Sequence, residues 1–182
     1  MSRLELTELE CTILGVVWRR QPCSAYSVAK EFERSLSSQW SASAGSIYPA
    51  MKRLGDRGML AVHKEAWGKA GRSHFRLSPA GLEALTNWIK DLTPSLASPA
   101  PDAFRTRFFF IDAIARSKDR RHIFDRASKL TEEALVEVKA LVSDLAASGP
   151  NAEYFAALGG VYELEARILW LRYLGDHWRT GD

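Results

Sequence analysis

The chain has 182 residues, 46% hydrophobic and 26% charged, with a net charge of +3 at pH 7, which excludes a disordered polyelectrolyte. Its densest apolar run, Phe108-Phe109-Phe110-Ile111, is far too short to span a bilayer, and the acidic start MSRLELTELE is not expected to be a signal peptide. Cys11 and Cys23 stand in no metal-binding or redox spacing, so a disulfide scaffold is excluded and a cytoplasmic protein with free or buried thiols is expected.

Thr7 with Glu10 three residues later makes a capping box, which predicts a helix start, and Ile13, Leu14, Val17 and Trp18 follow as one apolar stripe. Pro22 ends that helix. A second helix is predicted after Ser24 with Val28, Ala29, Phe32 and Leu36 inward, and the polar run 35–43, holding Leu36 and Trp40, connects it to a third. The third carries Ile47, Met51 and Leu54 on one face and stops at Gly58, the residue that most easily turns left-handed. Ser43 or Ser46 is its cap. With Ser46 as cap, Pro49 falls in the first turn and costs nothing; with Ser43 it lies deeper and loosens that turn.

The period then changes from helical to alternating. Leu60 and Val62 oppose His63 and Glu65, and Phe75 and Leu77 oppose Arg72, His74 and Arg76, with Gly68-Lys69-Ala70-Gly71 as the turn of a β-hairpin. Ser78-Pro79 starts a fourth helix whose apolar face is Leu82, Leu85, Trp88 and Ile89. The segment 93–101, with three prolines, is expected to link an N-terminal domain of residues 1–92 to a C-terminal domain of residues 102–182. Three helices are predicted beyond it: residues 102–116, 119–147 with Ile123, Ala127, Leu130, Ala134, Val138, Leu141 and Leu145 in step, and 151–178. The last is apolar on more than one face, so one face should bury against a partner, most economically a second copy of the chain.

The positive charge is local. Residues 41–76 hold seven basic and two acidic side chains, a net +5, whereas residues 93–182 are net −1. Three helices, a hairpin and a closing helix make a winged helix-turn-helix, and the outer face of the third helix offers Ser46, Tyr48, Lys52 and Arg53 to a major groove. Tyr48 is a candidate for the sugar-phosphate backbone, with packing between helices as the alternative. Candidate DNA-binding residues are Ser43, Ser46, Tyr48, Pro49, Lys52 and Arg53 on the helix and Lys69, Arg72, His74 and Arg76 on the wing.

The runs SAGSIYPAMKRLGDRGML and GKAGRSHFRLSPAGLEAL resemble the PadR family of transcriptional regulators. Gly45, Ser46, Ile47, Tyr48, Pro49, Ala50, Lys52, Arg53 and Leu54 match its segment in place, as do Arg72, Phe75, Arg76, Leu77, Ala80 and Gly81. Ala25-Tyr26 departs from the family's Gly-Tyr. The resemblance covers roughly the first half; the second half fits the longer subgroup by length and helical pattern. It implies a mainly α fold with a small β-hairpin and a C-terminal helical dimerisation domain. It also implies a homodimeric repressor that binds double-stranded DNA at a palindromic operator and responds to a small aromatic or apolar effector. Phe104, Phe108, Trp170 and Tyr173 are candidates for the effector pocket, against ordinary core packing.

Rival functions have less behind them. No P-loop, G-x-G-x-x-G, HExxH or G-x-S-x-G motif occurs, and His63, His74, His122 and His177 are scattered, so no enzyme, metal or cofactor is expected. A winged helix that binds protein instead would ordinarily lack the cations kept here. An activator on the same fold is the remaining alternative.

Overall fold

The computed structural model describes residues 6–34, 42–64, 73–99 and 102–179, which form two compact units, residues 1–98 and 99–182. The first runs α1 (Glu8–Arg20), β1 (Cys23–Ser24), α2 (Ala25–Arg34), α3 (Ala44–Asp56), β2 (Leu60–Lys64), β3 (Ser73–Leu77) and α4 (Pro79–Lys90). The second holds α5 (Ala103–Phe108), α6 (Ser117–Ala146) and α7 (Ala152–Arg179). The predicted hairpin turn, with Lys69 and Arg72, and the connecting residues Leu36 and Trp40 lie outside the described residues, as does Glu65.

Local chemistry explains the element starts in the first unit. The Thr7–Glu10 capping box is reciprocal: Thr7 Oγ1 accepts the Glu10 N–H at 3.2 Å and Glu10 Oε2 accepts the Thr7 N–H at 3.1 Å. Ser24 and Ser27 repeat the device at α2, each hydroxyl accepting the other's backbone N–H. At the end of α3, Gly58 adopts φ +71°, while Met59 N–H returns to Leu54 O and Gly58 N–H to Gly55 O, both at 2.9 Å. That pair of bonds is a Schellman stop.

Ile13, Leu14, Val17, Val28, Ile47, Met51 and Leu54 form the fully buried centre where α1, α2 and α3 meet. Three expectations about inward faces need correction. Trp18 lies exposed on α1; α4 turns Gly81 and Leu85 inward and leaves Leu82 and Ile89 exposed; and Val62, on the same face as buried Leu60 and beside Gly55, stays exposed. In each case the apolar arc of the sequence is wider than the strip the neighbours can cover. The hairpin also gains a third strand. β1 pairs antiparallel with β3, giving the order β1-β3-β2, with Cys23 opposite Phe75. Two residues are too few to show alternation.

In the second unit α6 and α7 pack side by side and antiparallel. Glu132 meets Arg172 and Lys139 meets Glu165, so residue numbers fall on one helix as they rise on the other. The buried strip of α6 is Phe124, Ala127 and Thr131. Of the predicted stripe, Ala127 is buried, but Leu130 and Leu141 are exposed. The predicted helix over 102–116 is cut short. α5 ends at Phe108, and a single 3₁₀ turn, Ile111–Ala113, follows. Arg120 stabilises the break, its Nε–H donating to the Ile114 carbonyl and its Nη1 lying 3.2 Å from Asp112. α7 buries Val161, Ile168 and Leu171 and leaves Phe155, Tyr162, Leu169 and Tyr173 exposed.

Candidate nucleic-acid interface

The backbone of Ser43 is extended and α3 begins at Ala44, so Ser43 occupies the cap position. Its hydroxyl makes no cap bond and lies 3.4 Å from that of Ser46. Pro49 therefore sits inside α3, beyond the first turn, on the solvent side. A proline there supplies no N–H to the carbonyl four residues back, which belongs to Gly45. Both residues are exposed, so water can satisfy that carbonyl.

Burial of Ile47, Ala50, Met51 and Leu54 fixes which face of α3 points outward. That face carries Gly45, Tyr48, Pro49 and Lys52, with Ser46 and Arg53 on its flank, all exposed. Tyr48 is open to solvent, which disfavours the alternative of packing between helices. Lys52 is more open than Arg53, its side chain 79% exposed and its Nζ 3.0 Å from Asp56. Arg53 is different. Its Nε–H donates to Glu10 Oε1 at 2.9 Å, and Glu10 is buried, with a side chain 4% exposed. Arg57 Nη1 lies 3.7 Å from the other Glu10 oxygen. Burial alone would raise the Glu10 pKa. The Thr7 N–H, the Arg53 hydrogen bond and the charges of Arg53 and Arg57 outweigh it and hold the carboxyl below its usual range.

Sequence reasoning saw Glu10 as half of a capping box and missed that it lies beneath α3. No local signal could have found this, because Arg53 is 43 residues away.

On the wing, His74 is half-buried in the central strand, opposite Ser24 and His63, while Arg76 is exposed opposite Ala61. The root of the wing is tied down tightly. Ser78 Oγ accepts the Gly81 N–H at 3.0 Å and lies within donating reach of the Gly58 and Met59 carbonyls, at 2.7 and 3.0 Å. Ser78 N–H also donates to Met59 O, at 3.1 Å. Gly81 passes so close that a Cβ placed on it would stand 2.1 Å from Met59 O.

In the second unit, three of the four candidate pocket residues come together. Phe108 packs on Phe104, Phe124 and Trp170 with ring centroids 4.9–5.9 Å apart. Tyr173 stands apart, on the exposed face of α7. A cavity of about 390 Å³ opens between α6 and α7, lined by Phe124, Ser128, Glu132, Leu171 and Arg172 among others, and by none of the four. Asp102 caps α5, its Oδ1 accepting the Phe104 and Arg105 N–H groups. Its Oδ2 takes both Nε and Nη2 of Arg167, at 2.9 and 2.6 Å.

Residues 13–87 match the model of the transcriptional regulator PadR-like family. These residues form a PadR-like domain of the transcriptional-regulator kind. The negative transcriptional regulator PadR of Bacillus subtilis is 28% identical over 141 residues, which are 77% of this chain and 72% of that protein. The crystal structure of Bacillus subtilis PadR with operator DNA superposes with a TM-score of 0.81 at 21% identity, covering 94% of this chain and 99% of that one. The same protein with p-coumaric acid gives 0.61 at 22%, over 94% and 96%. At these identities the structural likeness is one of fold, a winged helix followed by paired helices. The PadR fold thus accounts for both units. Among the described residues, no helix is long and apolar enough to cross a membrane, and no three His, Cys, Asp or Glu side chains are grouped to hold a metal.

Proposed function

We propose that the chain acts as a homodimeric repressor that binds a palindromic operator through α3 and the wing and is released by a small aromatic effector. Residues 1–92 bind DNA in this scheme, and residues 102–182 dimerise and sense. The observation that carries the dimer is the outer face of α7. Phe155, Tyr162 and Leu169 recur there every seven residues, and Tyr173 adds a fourth apolar side chain, all exposed. A seam with heptad spacing on a long helix is the kind of surface that pairs with another helix.

A two-fold dimer sets two α3 helices about one DNA turn, roughly 34–36 Å, or a multiple of it apart. Ser43, Ser46, Tyr48, Pro49, Lys52 and Arg53 then meet one half-site, with Lys69, Arg72, His74 and Arg76 reaching its flank. Repression is supported by the relative's description as a negative regulator, and an aromatic effector by the p-coumaric acid bound to the Bacillus protein. Phe104, Phe108 and Trp170 are the residues through which such a ligand would act.

The test begins with duplexes selected from a random pool. The wild-type chain should sediment as a dimer and bind a palindrome with an affinity that falls steeply as salt rises. Leu169→Glu should give a folded monomer with weakened operator binding. A reporter gene behind the selected site should be silenced and should recover with p-coumaric acid. A monomeric wild type, salt-independent binding or reporter activation would each remove part of the proposal.

A further inference from the structure

The pairing of a buried carboxylate with a cation on the flank of α3 asks for a purpose beyond folding. One carboxylate serves two helices. Oε2 of Glu10 closes the first turn of α1 on Thr7, while Oε1 holds Arg53 of α3. Burial keeps that carboxylate in one place, and its ionised form is favoured by three groups, the Thr7 N–H, Arg53 and Arg57. Arg53 is seized at Nε, one of the five N–H donors of a guanidinium. The side chain remains 54% exposed, so the fork of Nη groups stays available at the edge of the outer face. Among the described residues, Lys52, next to it, pairs with Asp56, itself 65% exposed.

We propose that Glu10 is a positioning residue for operator binding, fixing the Arg53 guanidinium so that its Nη fork meets a backbone phosphate, without touching DNA itself. This rests on α3 facing the operator. A guanidinium fork matches two phosphate oxygens, but only in one orientation. A free arginine must lose its rotamer freedom on binding; one already held by Glu10 has lost it on folding. Arg53 thus supplies a geometric contact, whereas Lys52 supplies a mobile charge.

The alternative to positioning is plain neutralisation, in which Glu10 cancels a positive charge near the duplex. The two differ in sign. Titration of the selected operator and of a random duplex, at several salt concentrations, is to be run on full-length E10Q, R53A, R53K and the double variant E10Q/R53A, with each melting temperature recorded. A carboxamide can accept one of the two bonds that Glu10 accepts, not both. Positioning predicts that E10Q binds the operator about tenfold more weakly even though its net charge is one unit more positive. Adding E10Q to R53A should cost nothing further, because the two residues act as one. R53K leaves α1 capped and keeps an ion pair with Glu10, but its ammonium has no planar fork to present two parallel N–H groups to a phosphate while held by Glu10. It should therefore lose operator affinity at an unchanged melting temperature.

Tighter binding by E10Q, losses that multiply in the double variant, or wild-type affinity in R53A or R53K would overturn the proposal. A wild-type chain that bound no duplex at all would instead remove the underlying assignment of α3.

Discussion

Replacing Gly81 by alanine pits helix propensity against a single close contact. Gly81 lies in the first turn of α4, where alanine should gain up to about 1 kcal/mol over glycine. The added methyl, however, would sit 2.1 Å from the Met59 carbonyl oxygen and 3.1 Å from its carbonyl carbon. Backbone cannot swing aside as a flexible side chain can, so Met59 or the start of α4 must move by roughly 1 Å to restore contact distance. Overpacking of this kind costs about 1–3 kcal/mol. The same movement strains the two Ser78 contacts on Met59 O, each worth about 1 kcal/mol net. The balance is a loss of roughly 2 kcal/mol, or about 10 °C for a unit of this size. Gly15→Ala is the matched control. It too is a helical glycine of the first unit, but its Cβ would meet Leu85 Cδ1 at an ordinary 3.8 Å, so it should gain about 0.5–1 kcal/mol. Scanning calorimetry of both variants checks the pair. A Gly81→Ala protein as stable as wild type would refute the steric argument, and opposite signs for the two variants would support it.

Two further predictions concern carboxylates. Glu10 and Asp102 both ionise more readily than usual in the folded chain, against the effect of their burial, because backbone N–H groups and arginines hold the charged form. A lowered folded pKa contributes stability that is complete above the ordinary values, 4.5 and 3.8, and is lost as pH falls from there through the folded ones. The melting temperature should therefore drop below about pH 4.5, and E10Q should flatten the first part of that drop; an unchanged profile in E10Q would contradict it. Arg167→Ala removes a two-pronged partner from an Asp102 side chain that is 12% exposed. Charged hydrogen bonds of this kind suggest a loss of about 1.5–3 kcal/mol, read by urea unfolding.

Features settled within four residues were legible in the sequence. Thr7 with Glu10, Ser78 before Pro79 and Gly58 after α3 each carry their own chemistry, and the structure uses them as caps and stops. Apolar side chains were legible as helix formers but not as core. Trp18, Leu82 and Ile89 match the helical period, yet they remain largely exposed. The α5 helix was read too long because Phe109 and Phe110 look like a continuing apolar face, while the feature that favours a break, Arg120 on the Ile114 carbonyl, comes from the next helix. At the candidate interface, the outer face of α3 followed directly from the buried period of Ile47, Met51 and Leu54. The hold of Glu10 on Arg53 did not, since it joins side chains 43 positions apart.

The Met59 carbonyl joins three elements within one residue's width, since the stop of α3, the start of β2 and the cap of α4 all converge on it or its neighbours. A joint fastened in this way has no slack with which to accommodate a target of slightly different shape. If DNA is bound as proposed, α3 and the root of the wing present a rigid template, and the duplex would have to do the bending. Base pairs that no side chain reaches then enter the choice of site through their stiffness, so the selected operators should share a pattern of flexible steps as well as a pattern of letters.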